Sequence, residues 1–162
     1  MTVEFRHLAI GDAGWLIEQH GTAYARDEGF DASFEALVAR ILGDFIDNHD
    51  APVERAWIAW EGDRRLGSIF CVKGPAPDTA KLRLFYLMPE ARGKGVGRQL
   101  LEHCIAHARA HGFAKLALWT HESHRAACAL YAARGFDLIS SRPVRSFGVD
   151  LVEQEWRLDL RV

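Results

Sequence analysis

The sequence predicts a mixed α/β fold: a central mixed, largely antiparallel sheet flanked by helices. Two observations carry this. Strand-like segments in the first half are joined by a tight hairpin turn, whereas those in the second half are separated by amphipathic helices. The resulting order is β-α-α-β-β-β-α-β-α-β-β, which an all-parallel doubly wound sheet does not give.

Residues 3–7 read as a short strand. Asp12 is placed to cap a helix through Leu16, Ile17, His20 and Tyr24. Gly29 and Phe30 lead into a turn. Phe34, Leu37, Val38, Ile41, Leu42 and Phe45 then recur at helical spacing, with Asp31 or Ser33 as cap and an end by residues 48–52. Residues 56–61 and 66–73 are two strands joined by Gly62-Asp63-Arg64-Arg65. A loop with two prolines follows over residues 74–79, then a strand over 81–87 that Pro89 stops. Residues 95–111 form a helix closed by Gly112, 115–119 a strand, 124–134 a helix closed by Gly135, and 137–140 a strand. Residues 154–160 alternate Trp156, Leu158 and Leu160 against Arg157 and Asp159, as a half-buried strand does.

A chain of 162 residues suits one domain, 1–162, with one sizeable core. With 49% hydrophobic and 26% charged residues it has the balance of a globular protein. A net charge of −2 gives no general attraction to nucleic acid or anionic lipid. Cys71, Cys104 and Cys128 lie far apart in apolar contexts, so buried reduced thiols and a cytoplasmic location are expected. Glu4, Arg6 and His7 interrupt any leader, and no apolar run approaches the roughly 20 residues of a membrane helix.

The most informative segment is Met88-Pro89-Glu90-Ala91-Arg92-Gly93-Lys94-Gly95-Val96-Gly97-Arg98, between a strand and a helix. Glycines let backbone N–H groups approach a ligand closely. The helix start adds unpaired amides and a positive dipole end, and Arg92, Lys94 and Arg98 add charge. Together these make a pyrophosphate cradle. The plainer alternative is a glycine-rich turn that only caps the helix. A P-loop would need G-x-x-x-x-G-K-[ST], and a dinucleotide fingerprint would need glycine where Leu100 stands.

Arg92-Gly93-Lys94-Gly95-Val96-Gly97 resembles the R/Q-x-x-G-x-G/A motif of GNAT acetyltransferases, and residues 84–89 resemble that family's strand-then-proline approach. Ala127-x-x-x-Tyr131-x-x-x-Gly135-Phe136 resembles the family's second motif, about 30 residues further on. The element order agrees over essentially the whole chain. A closer likeness lies in His20-Gly21-x-x-Tyr24, residues 34–49, Lys81-Leu82-Arg83-Leu84, Leu118-Trp119-Thr120 and Ser146-Phe147-Gly148-x-Asp150-Leu151. These resemble acetyltransferase domains fused behind MarR-type regulators. The winged-helix half is absent, so a stand-alone relative without DNA binding is expected.

The resemblance implies acetyl-CoA as cosubstrate, with no metal. Backbone groups near Leu87 and Met88 would bind the pantetheine arm, and Arg92, Gly93, Lys94, Gly95, Val96 and Gly97, with Arg98 beside them, would hold the pyrophosphate. Tyr131 would lie near the thioester sulfur. His124 stands where the family often has asparagine; it is either a pantetheine contact or a residue that merely starts a helix. The first two helices would border the acceptor cleft; His20 and Tyr24, one turn apart on one face, either line it, with Glu28 one turn on, or are satisfied core-edge residues.

Acetyl transfer to an amine needs a base, donors for the oxyanion and a proton for the thiolate. A backbone N–H near Leu87 would face the oxyanion. Tyr131 would be the acid, or else a core residue. The base is His121, Glu122 or a water chain. The expected activity is transfer to a small primary amine in a ternary complex, with a homodimer left open. The alternatives are a non-catalytic acetyl-CoA sensor and a transferase for longer acyl groups. His103, His107 and His111 recur at helical spacing, but no acid lies in register with them, so they read as a polar flank rather than a metal site.

Overall fold

The computed structural model describes residues 2–161. The elements are β1 (Glu4–Arg6), α1 (Asp12–Glu28), α2 (Ala32–Asn48), β2 (Arg55–Glu61), β3 (Arg64–Lys73), β4 (Thr79–Leu87), a 3-10 turn (Pro89–Ala91), α3 (Val96–Ala110), β5 (Lys115–His121), α4 (Arg125–Arg134), β6 (Asp137–Ser146) and β7 (Val149–Asp159). The predicted order of strands and helices is the observed one. The seven strands form one sheet in the order β1-β2-β3-β4-β5-β7-β6. Neighbours are antiparallel except β4 and β5, which are parallel.

Strand alternation splits the core into two layers. Ala56, Ile58 and Phe70 face α1 and α2, where they meet Leu16, Val38, Leu42 and Phe45. Trp57, Ala59, Ile69 and Cys71 point the other way, towards Leu100, Leu101, Cys104 and Ile105 of α3. The apolar spacing of α2 and α3 is thus explained by one buried face each. Cys71 and Cys104 are buried thiols as expected, but Cys128 is only half-buried; all three are free.

Local chemistry corrects several expectations. Asp31 does cap α2, accepting the Ser33 amide at 3.0 Å. Asp12 does not cap α1. Gly11 holds that position at φ 93°, and the buried Asp12 carboxylate instead accepts from the Ala9 amide at 2.7 Å and Arg65 Nε at 2.8 Å. It ties α1 to β3. The β2–β3 turn is only Gly62-Asp63, because Arg64 and Arg65 already belong to β3. β6 and β7 are much longer than predicted and meet at Phe147 and Gly148, both with positive φ, as a two-residue hairpin turn needs. β6 is an edge strand exposed along most of its length, so it carries no alternation to read and tolerates Pro143.

His103 lies 4.5 Å from the Phe5 ring, and His107 Nε2 donates to the Val53 carbonyl at 2.8 Å. Among the described residues no cluster of metal-ligating side chains occurs, and no helix is long and apolar enough to cross a membrane.

The feature that positions the site is an irregularity in β4. Pairing with β3 shifts register between Ser68 and Phe70, and Leu84 adopts a left-handed φ of 47°. Ser68 Oγ donates to the Leu84 carbonyl at 2.7 Å and pins the bulge. β4 and β5 pair only over Thr79–Lys81 and Lys115–Ala117. Beyond that point the sheet parts.

Gly67 sits opposite this bulge, where a Cβ would lie 2.3 Å from the Tyr86 carbonyl oxygen and 3.2 Å from Leu87 Cα. Gly67→Ala should therefore destabilise the fold by about 1–3 kcal/mol in urea unfolding. An unchanged midpoint would mean that β3 and β4 are not so tightly apposed.

Candidate active site

Two cavities open where β4 and β5 part. The first, about 380 Å³, lies on the α3 side and is lined by Phe85, Leu87, Arg92, Gly97, Ala126 and Leu130 among others. The second, about 320 Å³, lies on the α2 side and is lined by His20, Phe34, Arg83, Trp119, Tyr131 and Phe147 among others. Tyr24, Phe85, His124 and Ala127 belong to both walls. A pocket beside the glycine loop thus stands back to back with a pocket beside the first two helices.

The glycine loop makes a sharp entry into α3. Gly93 and Gly95 take left-handed φ values of 75° and 82°, which turn the chain sharply into α3. Gly95 is the N-cap and offers no side chain, and the first amide to bond back is Gln99, to the Gly95 carbonyl at 3.1 Å. The amides of Val96, Gly97 and Arg98 therefore have no intrahelical acceptor. Arg92, Lys94 and Arg98 are exposed around them. Val96 has its side chain wholly in the core, so only its backbone can take part. At Gly97 a Cβ would stand 3.4 Å from Leu130 and 3.6 Å from Leu87, so its smallness lets α3 start close to α4 and β4.

Leu87, Arg92, Gly97 and His124 line the first cavity as the sequence suggests. Met88 is absent from both cavity linings. Its amide donates to the Leu66 carbonyl at 2.8 Å and its carbonyl accepts from Ala91 at 3.0 Å, so its backbone is already engaged. Glu122 is also misplaced by the sequence reading: it is exposed and lines neither cavity.

Asp27 lines the first cavity and Glu153 the second, but the carboxylate in contact with the shared wall is Glu28. Its Oε2 lies 2.6 Å from His124 Nε2, off the ideal hydrogen-bond axis, and its Oε1 accepts from the Ser123 hydroxyl. Burial would push this carboxyl up, but the contacts with His124 and Ser123 outweigh it and hold it below the usual range. His124 also places Nδ1 3.1 Å from Thr120 Oγ1, and its ring lies 4.9 Å from that of Tyr24.

His20 and Tyr24 are brought together on the second cavity, with ring centroids 6.1 Å apart. Gly21 between them faces α2, since a Cβ would fall 2.5 Å from Glu35 Oε1; it admits a helix, not a ligand. His20 is 2% exposed and donates from Nδ1 to the Leu16 carbonyl at 2.8 Å. Burial holds its pKa down to about 4, so its ring is neutral near pH 7. Burial and the nearby Glu28 charge push the Tyr24 hydroxyl up. Tyr131 is 3% exposed, packed against Phe85, Phe136 and Trp156, and burial raises its hydroxyl well above the ordinary range. His121 lines the second cavity with a buried Nδ1 that has no hydrogen-bond partner, and burial lowers its pKa.

Comparison with known proteins agrees with this geometry. Residues 16–136 match the acetyltransferase (GNAT) family. A mycothiol acetyltransferase from Geodermatophilus obscurus is 34% identical over 85 residues, covering 49% of this chain and 28% of that protein. One from Corynebacterium glutamicum is 31% identical over 85 residues, covering 52% and 29%. The likeness therefore spans less than a third of those relatives. The fold is that of an N-acetyltransferase from Staphylococcus aureus Mu50, with TM-score 0.79 and 20% identity over 99% of both chains. An acetyltransferase from Salmonella typhimurium, solved with its cofactor acetyl-CoA, superposes with TM-score 0.73 at 19% identity over 99% of this chain and 95% of its own. The family match extends from α1 to the turn after α4, and the chain belongs to the GNAT acetyltransferase family.

Proposed function

We propose that the protein transfers the acetyl group of acetyl-CoA to the amine of a small acceptor, by direct attack while both are bound. The observation that carries this is the pair of cavities meeting at one wall. A donor entering from the glycine loop and an acceptor entering beside α1 and α2 would approach each other at Tyr24, Phe85, His124 and Ala127, which line both cavities.

The residues fit the donor. The free amides of Val96, Gly97 and Arg98, with Arg92, Lys94 and Arg98 around them, suit a pyrophosphate. Gly93 and Gly95 give that turn its shape. Leu87 and Gly97 form an apolar wall for the pantetheine arm. His124 sits where that arm would reach the shared wall, and its tie to Glu28 holds its ring in place.

In the reaction, the acceptor nitrogen forms a bond to the acetyl carbonyl carbon and the C–S bond breaks. The amine proton must leave and the thiolate gains one. Tyr131 is the donor to the sulfur: burial keeps its hydroxyl protonated at every working pH. His121 is the first acceptor for the amine proton, because its buried Nδ1 is unengaged and burial keeps the ring neutral. Glu28, ionised on the first cavity's wall and in contact with His124, favours the cationic amine before it reacts. His20 and Tyr24 shape the acceptor side.

The segments that resemble the acetyltransferase domains of MarR-type regulators contribute many of the second cavity's lining residues, including His20, Tyr24, Lys81, Leu118 and Phe147. That supports a small acceptor recognised in this pocket. In this reading residues 1–162 act as one acetyltransferase domain.

A thiol-release screen with acetyl-CoA against small amines tests the proposal directly. Turnover with at least one small amine is expected; binding of acetyl-CoA with no turnover across the panel would favour a sensor instead. Arg92→Glu should weaken acetyl-CoA by roughly 10-fold or more in calorimetry, since it exchanges a charge-assisted contact for repulsion. Equal affinity would remove Arg92 from the cradle. Tyr131→Phe should slow single-turnover transfer by roughly 100-fold with donor affinity intact; an unchanged rate returns Tyr131 to the core. The neutral His20 gives a pH effect. The unfolded chain takes up its proton near pH 6.5 but the fold only near 4, so stability present above 6.5 is lost as pH falls. Wild type should lose about 2 kcal/mol between pH 8 and 5 that His20→Gln does not lose. Parallel urea stability curves for the two proteins would refute the burial of a neutral ring.

A further inference from the structure

Acetyl transfer as derived above uses the shared wall and leaves a pair of cations on β4 unexplained. Lys81 and Arg83 are two residues apart, so they share a face of the strand, and both line the second cavity. Both are half-buried. Neither forms an ion pair among the described residues. Two like charges side by side on a half-buried face oppose each other. Burial and the neighbouring Arg83 charge push Lys81 down, and burial pushes Arg83 down, with only Asp44 near enough to offset it.

No other charge in the cavity answers them. The one acidic residue on its wall is Glu153, which already accepts from Arg142 at 3.2 and 2.9 Å. His20 and His121 are neutral near pH 7. Lys81 is steadied by the Trp119 ring, with Nζ 4.9 Å from its centroid. The remaining lining is largely apolar, with Phe34, Leu37, Ile41, Leu118 and Phe147. A cationic polyamine would find repulsion on this side of the pocket.

Position along β4 gives the reach. Phe85, on the shared wall, is two residues beyond Arg83, across the bulge at Leu84, and both line the second cavity. An amine held at Phe85 with an anion a few bonds away falls within range of the Arg83 guanidinium, whose fork suits a carboxylate or phosphoryl group. Lys81 lies farther out and meets a longer or bulkier anion.

We infer that the acceptor is a small amine with an apolar body and an anionic group, carboxylate or phosphoryl, which Arg83 holds and Lys81 assists. This rests on the acetyl-transfer reading above and narrows its substrate class.

The test uses matched pairs that differ only in the anion: phenylalanine against 2-phenylethylamine, leucine against 3-methylbutylamine, tryptophan against tryptamine. 1-Amino-2-phenylethylphosphonate serves as the phosphoryl arm. Thiol release should give kcat/KM at least about tenfold higher for the anionic member of a pair. Arg83→Gln should collapse that ratio towards one, and Arg83→Lys should keep part of it. Preference for phenylalanine or for its phosphonate tells which anion is used. Calorimetry with the N-acetyl products and CoA reads the same site without turnover, and thermal melting confirms that each variant is folded. Suppose no amine is acetylated, yet N-acetylphenylalanine binds wild type and not Arg83→Gln. The transfer reading then fails and the anion site stands. Acetylation with matched ratios near one in wild type overturns the anion site and leaves transfer intact. Neither turnover nor product binding across the pairs overturns both.

Discussion

Leu84 is held in a left-handed conformation, at φ 47°, inside the strand that borders both cavities. A branched side chain pays roughly 1–2 kcal/mol for that backbone. The hydrogen bond from Ser68 and the packing of Leu84 beside the α1–α2 core hold it there. The consequence is large. With the bulge, β4 leaves β5 after three paired positions, and two pockets that share wall residues open there. A straight β4 would continue pairing with β5, and Leu118 to His121 would face a neighbouring strand instead of a cavity.

The remaining elements can be understood as closing that gap from both sides. α3 begins against it at Gly97, close enough that its free amides face the first cavity's mouth. α1 crosses it with Tyr24 and Glu28, and α4 begins against it with His124, so two helix ends meet over the opening. The long β6–β7 hairpin covers the far end, where Phe147 packs 4.9 Å from both Phe30 and Phe34. The aromatic cluster of His20, Tyr24, Phe30 and Phe34 makes a rigid, largely dry wall, in which the few charged groups act strongly.

The parts legible in the sequence were those written in local chemistry. Glycines at 93 and 95 mark the loop because only glycine adopts those dihedrals without strain, and the apolar spacing of α2 and α3 marks their buried faces. The bulge was not legible: the run from Leu82 to Leu87 has no glycine or proline, and nothing in it signals a leucine at positive φ. Glu28 entered only as an outer candidate because its partners are distant in sequence; it lies 95 positions from Ser123. Glu122 was named for its closeness to the end of β5, yet it is exposed outside the cleft. Met88 was named for its closeness to the loop, and its amide bonds to β3 through a partner distant in sequence. β6 was underestimated because an exposed edge strand leaves no hydrophobic period.

The central claim is that the gap between β4 and β5 is the donor's seat. Amide NMR of the isotopically labelled protein, titrated with acetyl-CoA, tests it most directly. The account predicts that the largest perturbations fall on Phe85, Leu87, residues 92–98 and residues 124–130, on both sides of the parted strands. No perturbation at saturating acetyl-CoA, or perturbations confined to the outer face of β6 and β7, would contradict it.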